Sequence, residues 1–353
     1  MTLSDRRVHG TTTGTAAPTA VGALTPAGTA TTDPGTTSRL SVTSATLAAG
    51  LYQSAYSERH GTLWATVALG GPPEPVTESR LLRIDPATLE VEASFDAPLD
   101  DATGTIEAVY GIDVDDEHDT VWVTHTRDDS VSVYSQRTGR CLATRSGVAH
   151  PREVVVDEKR GTVWATAFGS GEIVGFDSRT FEETARVTVE GSGPTGLAVD
   201  GRTSTVYACD FTHDRVIQVR PGSRTPRLLP TGRGPLSVAL SPDGRTAYTA
   251  DQGTGTLSAV DLREGVVTRT IHTGEGAKSL ATEPGSGQVL VVNRLAGTLS
   301  VVDPRTGTLL RNVATGALPN HVRVHDRSAY VLDKSASGPA GEDRITRIPL
   351  GPG

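Results

Sequence analysis

PREVVVDEKRGTVWATAFGSGEIVGFDSRTFEETARVTV, residues 151–189, decides the fold. It divides into four runs, PREVVVD, TVWATA, EIVGFD and EETARVTV. They are separated by EKRG, FGSG and SRTF. The runs are rich in Val, Thr and aromatics, which favour extended backbone. The separators carry Gly, Ser and charged residues, which favour turns. Neighbouring side chains in a strand point to opposite faces, so Val163 and Ala165 share one face while Trp164 takes the other. Both faces are apolar, so this small sheet needs a neighbour on each side.

The neighbours are copies of itself. The same plan begins at Val109, Pro151, Pro194, Pro235, Ala277 and Pro319, with spacings of 42, 43, 41, 42 and 42 residues. A looser copy starts at Leu51, 58 residues before the next. A fixed period near 42 with four short strands per unit is the pattern of a β-propeller. The chain is therefore expected to be all-β: a seven-bladed β-propeller over residues 38–353. Each second strand supplies one large packing residue: Trp64, Trp122, Trp164, Tyr207, Tyr248, Leu290 or Tyr330. The copy at Pro319 has strands at about 319–325, 329–333 and 344–349 and lacks its fourth. SRLSVTSATLAAG, residues 38–50, reads as that missing strand and would close the ring. Closure removes a sheet edge and covers two open blade faces.

Composition agrees. Aromatics make up 4% of the chain, with 39 Gly and 21 Pro. The net charge of −8 and pI near 5.6 speak against a general nucleic-acid or anionic-membrane binder. No apolar run reaches the roughly 18 residues that would cross a bilayer. Cys141 and Cys209 have no metal-ligand spacing and read as reduced thiols. Residues 1–37 are rich in Thr, Ala, Gly and Pro and read as a disordered tail. Arg6 and Arg7 precede a weak apolar stretch, Ala16 to Leu24, broken by Pro18. This is a poor export signal, so the reading favours a cytoplasmic monomer, with export as the alternative.

The second strands VWVTH, VWATA, VYACD, AYTAD, VLVVN and AYVLD resemble the YVTN propeller repeat. GLYQSAYSERHGTLWATV, LLRIDPATLEVEASF, PREVVVD, LPNHVRV and EDRITRIPL are similar to YncE-type proteins over about residues 39–350. The resemblance implies an exported propeller that binds single-stranded DNA.

A site is expected where the turns between blades ring the channel mouth. The two positions after each repeat start are not repetitive, although packing and turn needs are the same in every blade. They include Tyr52, Gln53, Tyr110, Arg152, Glu153, Lys278, Asn320 and His321. Cations in neighbouring turns, Arg127, Arg294 and Lys334, complete a basic cluster in an acidic chain. A second ring ends the second strands. There Asp210, Asp251, Asn293 and Asp333 read as repeat residues that bond to local turns. His125 departs from that pattern and joins the candidates. Three insertions, in ALGGPPEPVTES, APLDDATGTIEA and KSASGPAGED, fall on the same face.

These features point to a non-catalytic module binding a polar or anionic ligand, with no cofactor. The ligand is either a small molecule or, weakly, single-stranded DNA stacked on Tyr52, Tyr110 and Phe168. The alternative is a lyase or hydrolase with its site at the channel mouth, either metal-assisted or with His321 and Glu153 as an acid–base pair and Lys278 beside them. No metal site is expected. His321 and His325 share a strand face but lie roughly 13 Å apart. DVDDEHD, residues 113–119, lacks the glycine and final glutamate of a calcium loop and reads as a solvated turn.

Overall fold

A computed structural model describes residues 41–70, 74–99, 104–223 and 225–351. The expected tail over residues 1–37 lies outside them. Seven four-stranded antiparallel sheets are present. The innermost strands are Leu51–Ser57, Ile112–Asp115, Pro151–Asp157, Pro194–Asp200, Pro235–Leu240, Ala277–Thr282 and Pro319–His325. Each touches the next, and the last touches the first, so the ring is closed around a central channel. Blades are numbered 1 to 7 in this order.

Blade 7 takes three strands from the C-terminal end of the chain and its outermost from Thr43–Thr46. Thr43 pairs with Arg347 and Thr46 with Arg344. Leu47 N–H then donates to the Asp343 carbonyl at 3.0 Å. The expected closure is thus present, over four residues of the thirteen-residue segment read from the sequence.

Period-2 alternation builds the core as seven clusters, one per blade interface. Trp122 of blade 2 packs with Val154, Val163 and Phe176 of blade 3. On the opposite face of blade 3, Trp164 packs against Leu197 and Ile217 of blade 4. Tyr330 and Leu332 of blade 7 meet Leu51 and Leu63 of blade 1, so the closing interface is as apolar as the rest. Gly175 lies against Trp164, and a Cβ there would fall 2.9 Å from the indole. The Asp ending many third strands makes an Asx turn: Asp177 accepts the N–H groups of Arg179 and Thr180 at 3.0 and 2.7 Å.

Most innermost strands carry a bulge at their start. Pairing shifts between Leu51 and Ser54, Pro151 and Val154, Pro194 and Leu197, Pro235 and Ser237, Ala277 and Ser279, and Pro319 and His321. A bulge leaves a residue unpaired and re-aims its side chain. The residues freed are Tyr52, Gln53, Arg152, Glu153, Thr195, Gly196, Leu236, Lys278 and Asn320, all from the two positions after a repeat start.

Deleting residues 1–47 removes the closing strand and leaves Arg344–Pro349 as an open edge. Losing that pairing and the packing of Leu47 and Ala45 costs about 3 kcal/mol. The expected outcome in thermal unfolding is a melting temperature lower by on the order of 5–10 °C, with concentration-dependent association. Deleting residues 1–40 leaves both unchanged.

Candidate functional site

The channel encloses about 1000 Å³. Tyr52, Gln53, Tyr110, Arg127, Arg152, Glu153, Lys278, Asn320 and His321 all line it, so most of the expected ring is brought together. Phe168, Phe211, His150 and Arg323 line it as well.

An innermost strand is also a sheet edge, so backbone N–H groups face the channel without a ladder partner. Five blades solve this with a side chain from the preceding blade. Gln53 Oε1 accepts from Ile112 N–H at 3.3 Å and Asp113 Oδ2 from Val156 N–H at 2.9 Å. Ser237 Oγ accepts from Leu280 N–H and Ser279 Oγ from Val322 N–H. His321 Nδ1 accepts from Ser54 N–H at 3.2 Å, carrying the series from blade 7 to blade 1. In blades 1 to 3 a second-strand threonine pins the segment beside the channel. Thr66, Thr124 and Thr166 Oγ1 accept the N–H groups of Gln53, Gly111 and Glu153 at 3.1, 2.8 and 3.0 Å.

This arrangement assigns several candidates. With Nδ1 accepting, neutral His321 carries its proton on Nε2. Burial first, then the charges of Arg323 and Lys278, lower its pKa to about 3. His321 is therefore neutral at physiological pH. His321 and Glu153 both line the channel, and each is bonded to another neighbour, His321 to Ser54 and Glu153 to Gln53. Glu153 instead accepts from Gln53 Nε2 at 2.9 Å. Burial raises its carboxyl pKa to about 7, against the lowering effect of Gln53. Asn320 is held at both ends: Nδ2 donates to the Tyr52 carbonyl at 2.7 Å, and Oδ1 accepts from Arg294 Nη1 at 2.7 Å. Lys334 Nζ donates to the Leu51 carbonyl at 3.0 Å and lies 3.5 Å from the Tyr52 ring centre. Arg294 and Lys334 thus brace the mouth from behind and do not line the channel. Arg127 donates to the Gly70 carbonyl at 2.7 Å. Tyr52 and Tyr110 meet edge to face, 4.4 Å between centroids. Burial pushes the Tyr110 phenol up to about 12, so it stays protonated.

Two cations in the channel have no such engagement. The Arg152 guanidinium lies 5.0 Å from the Phe168 ring centre and makes no hydrogen bond among the described residues. Lys278 Nζ has neither hydrogen bond nor ion pair among them. Burial, then Arg294 and Arg152, lower its pKa to about 8, against the raising effect of Glu153. Deeper in the channel, Arg323 Nη1 lies 4.0 Å from Asp113 Oδ1, and burial raises the Asp113 pKa.

Two expectations need correcting. His125 is fully buried and outside the channel lining, with Nε2 3.6 Å from Glu107 Oε2. The equivalent positions in the other blades, such as Ala167, Asp210 and Asn293, are buried as well. Asp113 is not part of a solvated turn but a channel-side residue of the blade 2 inner strand. The turn proper is tied internally, as by His118 Nδ1 and Asp115 Oδ2 at 2.8 Å. Sequence reasoning passed over Asp113 and Arg323 because it considered only two positions per repeat. The i, i+2 rule places Arg323 on the His321 side of its strand. Asp210, Asp251, Asn293 and Asp333 do bond locally; Asp251, for example, accepts from Ser258 Oγ at 2.6 Å and Thr249 Oγ1 at 2.8 Å. Among the described residues no three His, Cys, Asp or Glu side chains converge on a metal-sized point, and no helix is long and apolar enough to cross a membrane.

No family model and no curated protein sequence matches this chain. Among solved structures, virginiamycin B lyase from Staphylococcus aureus superposes with a TM-score of 0.71 at 11% identity, covering 88% of this chain and 100% of that one. A streptogramin B lyase structure gives 0.59 at 15% identity, over 70% and 84% of the two chains. Hydrazine synthase from Kuenenia stuttgartiensis gives 0.68 at 15% identity, over 86% and 96%. At these identities the likeness is one of fold, and function has to be argued from the site.

Removing the His321 acceptor by His321→Ala leaves the Ser54 N–H without its partner and costs about 1–3 kcal/mol in denaturant unfolding. His321→Gln, which keeps an acceptor, restores most of it. The folded pKa of His321 is below its unfolded value, so its stabilising effect is complete above about pH 6.5 and declines as pH falls towards 3. The Gln variant loses this acid sensitivity while the wild type keeps it.

Proposed function

We propose that this propeller is a monomeric binding module whose channel takes an anionic ligand at Arg152 and Lys278. One observation carries the reading: two side-chain cations face one cavity with no carboxylate or carbonyl among the described residues bonded to either. Arg152 is exposed to the channel and Lys278 half-buried in it, and an incoming oxyanion offers both charge-assisted hydrogen bonds in place of water. The neutral His321 Nε2–H adds a donor that carries no charge. The volume suits a small molecule or one end of a larger one. The resemblance to YncE-type propellers supports an oligonucleotide end as one such ligand, with Phe168 and Phe211 as stacking surfaces beside Arg152.

A second reading, a lyase or hydrolase, draws on Glu153 and Lys278. Their pKa values of about 7 and 8 put two titrating groups in one channel near neutrality. The fold shared with virginiamycin B lyase is consistent with an active propeller but names no reaction for this chain.

Calorimetric titration with inorganic pyrophosphate and with a short single-stranded oligonucleotide, each at low and moderate salt, separates the readings. The expected result is saturable binding that weakens with salt. Affinity falls at least on the order of 100-fold in the Arg152→Ala, Lys278→Ala double variant, since each charged hydrogen bond contributes about 1.5–3 kcal/mol. No binding of either probe removes the anion reading. Oligonucleotide binding that survives the double variant removes this site.

Affinity also depends on pH. Lys278 is charged below about 8, and Glu153 becomes an anion above about 7. Both changes oppose an anion as pH rises, so affinity is highest below pH 7 and falls between about 7 and 8. Glu153→Gln moves the midpoint up towards that of Lys278 alone, as read by pyrophosphate titration across the range.

A further inference from the structure

Lys278 differs from the other two lysines of the chain, Lys159 and Lys334. Lys159 is exposed in a turn, and Lys334 donates to the Leu51 carbonyl. Lys278 sits on the blade 6 bulge, lines the channel, and makes no hydrogen bond or ion pair among the described residues. Arg152 and Arg294 act on it as like charges, and Glu153 acts on it from the same cavity. An amine held among cations in a partly desolvated pocket is the arrangement that yields a nucleophilic lysine. The other two catalytic candidates are engaged, His321 by Ser54 and Glu153 by Gln53. Glu153 nevertheless keeps one carboxylate oxygen, Oε1, without a hydrogen bond among the described residues.

We propose that Lys278 forms an imine with small 2-oxo acids, whose carboxylate is held by Arg152. This rests on the reading of the channel as an anion site and adds covalent chemistry to it. The neutral amine adds through its lone pair to the ketone or aldehyde carbon, and the carbonyl oxygen takes up a proton. The resulting carbinolamine loses that oxygen as water when Glu153 delivers a proton to the hydroxyl. The nitrogen lone pair forms the C=N bond, and the proton lost from nitrogen returns to Glu153. Amine and carbonyl thus give imine and water, with no oxidant, reductant or metal required. A carboxyl titrating near 7 is divided between donor and acceptor forms at neutral pH, which suits both transfers. An amine titrating near 8 is unprotonated to about a tenth there, far more than an exposed lysine, which is almost wholly charged.

The test is reductive trapping of the full-length protein with glyoxylate and cyanoborohydride, read by peptide mass spectrometry. Lys159 and Lys334 serve as references within the same molecule. The expected result at pH 7.5 is carboxymethylation of Lys278 at least on the order of 10-fold faster than of Lys159. Acetaldehyde, which has no carboxylate, loses most of that preference, and so does the Arg152→Ala variant. Lys278→Arg abolishes the fast adduct while keeping a cation for pyrophosphate. Lys278 labelling no faster than Lys159, or equal for glyoxylate and acetaldehyde, overturns the proposal. If pyrophosphate still binds saturably in that case, the imine chemistry alone is wrong; if it does not, the anion site fails as well.

Discussion

Every blade of this ring begins with a strand that has no partner on its channel side, and its exposed N–H groups must be satisfied. Much of the site's geometry follows from that. A side chain lent by the preceding blade answers the need in five of the seven blades. Gln53, Asp113 and His321 are polar because the next blade's backbone requires an acceptor there. Residues chosen for such bonds stand in the channel and look like catalytic groups until their partners are traced. Set aside, they leave a shorter roster in which Arg152 and Lys278 make no side-chain hydrogen bond among the described residues.

The electrostatics of the channel oppose those of the molecule. The chain carries a net charge of −8, yet Arg127, Arg152, Lys278 and Arg323 face the cavity against Glu153 and the adjacent Asp113. Low-dielectric walls concentrate a local field, while the outer surface repels the same anions elsewhere. That combination favours delivery to one point over adhesion to a broad surface. It also explains why burial both raises the Glu153 carboxyl and lowers the Lys278 ammonium: neither is fully compensated by the other.

The fold was legible because its signals are periodic. Trp122 and Trp164 recur at one place in the repeat and pack at successive interfaces. The blade 7 deficit at its outer edge pointed directly to the segment around Thr43–Thr46. The position of the candidate ring was legible for the opposite reason, as the place where the repeat stops repeating. Roles within it were not. Whether His321 reaches a ligand or Ser54 depends on sub-ångström placement across a closure that joins distant parts of the sequence. His125 was misplaced because an exception to a pattern signals an altered environment without saying whether that environment is wet. A subtler sign was present in WATV, WVTH and WATA: a threonine on an otherwise apolar strand, used to pin the backbone beside the channel.

The clasp of blade 7 has a temporal consequence. Ser44 bonds to Thr346 across 302 positions of sequence, so a strand that leaves the ribosome before all seven inner strands is among the last to find its place. Contacts of such long range form slowly, since a large loop must close before they contribute. Until Arg344–Pro349 is synthesised, the apolar faces of blades 1 and 7 have no partner. The nascent chain is then an open arc with two sticky ends, able to meet another arc as readily as itself. Whatever occupies the N-terminus during synthesis must therefore leave Thr43–Thr46 free, and a carrier or anchor held tightly there would act as a brake on ring completion.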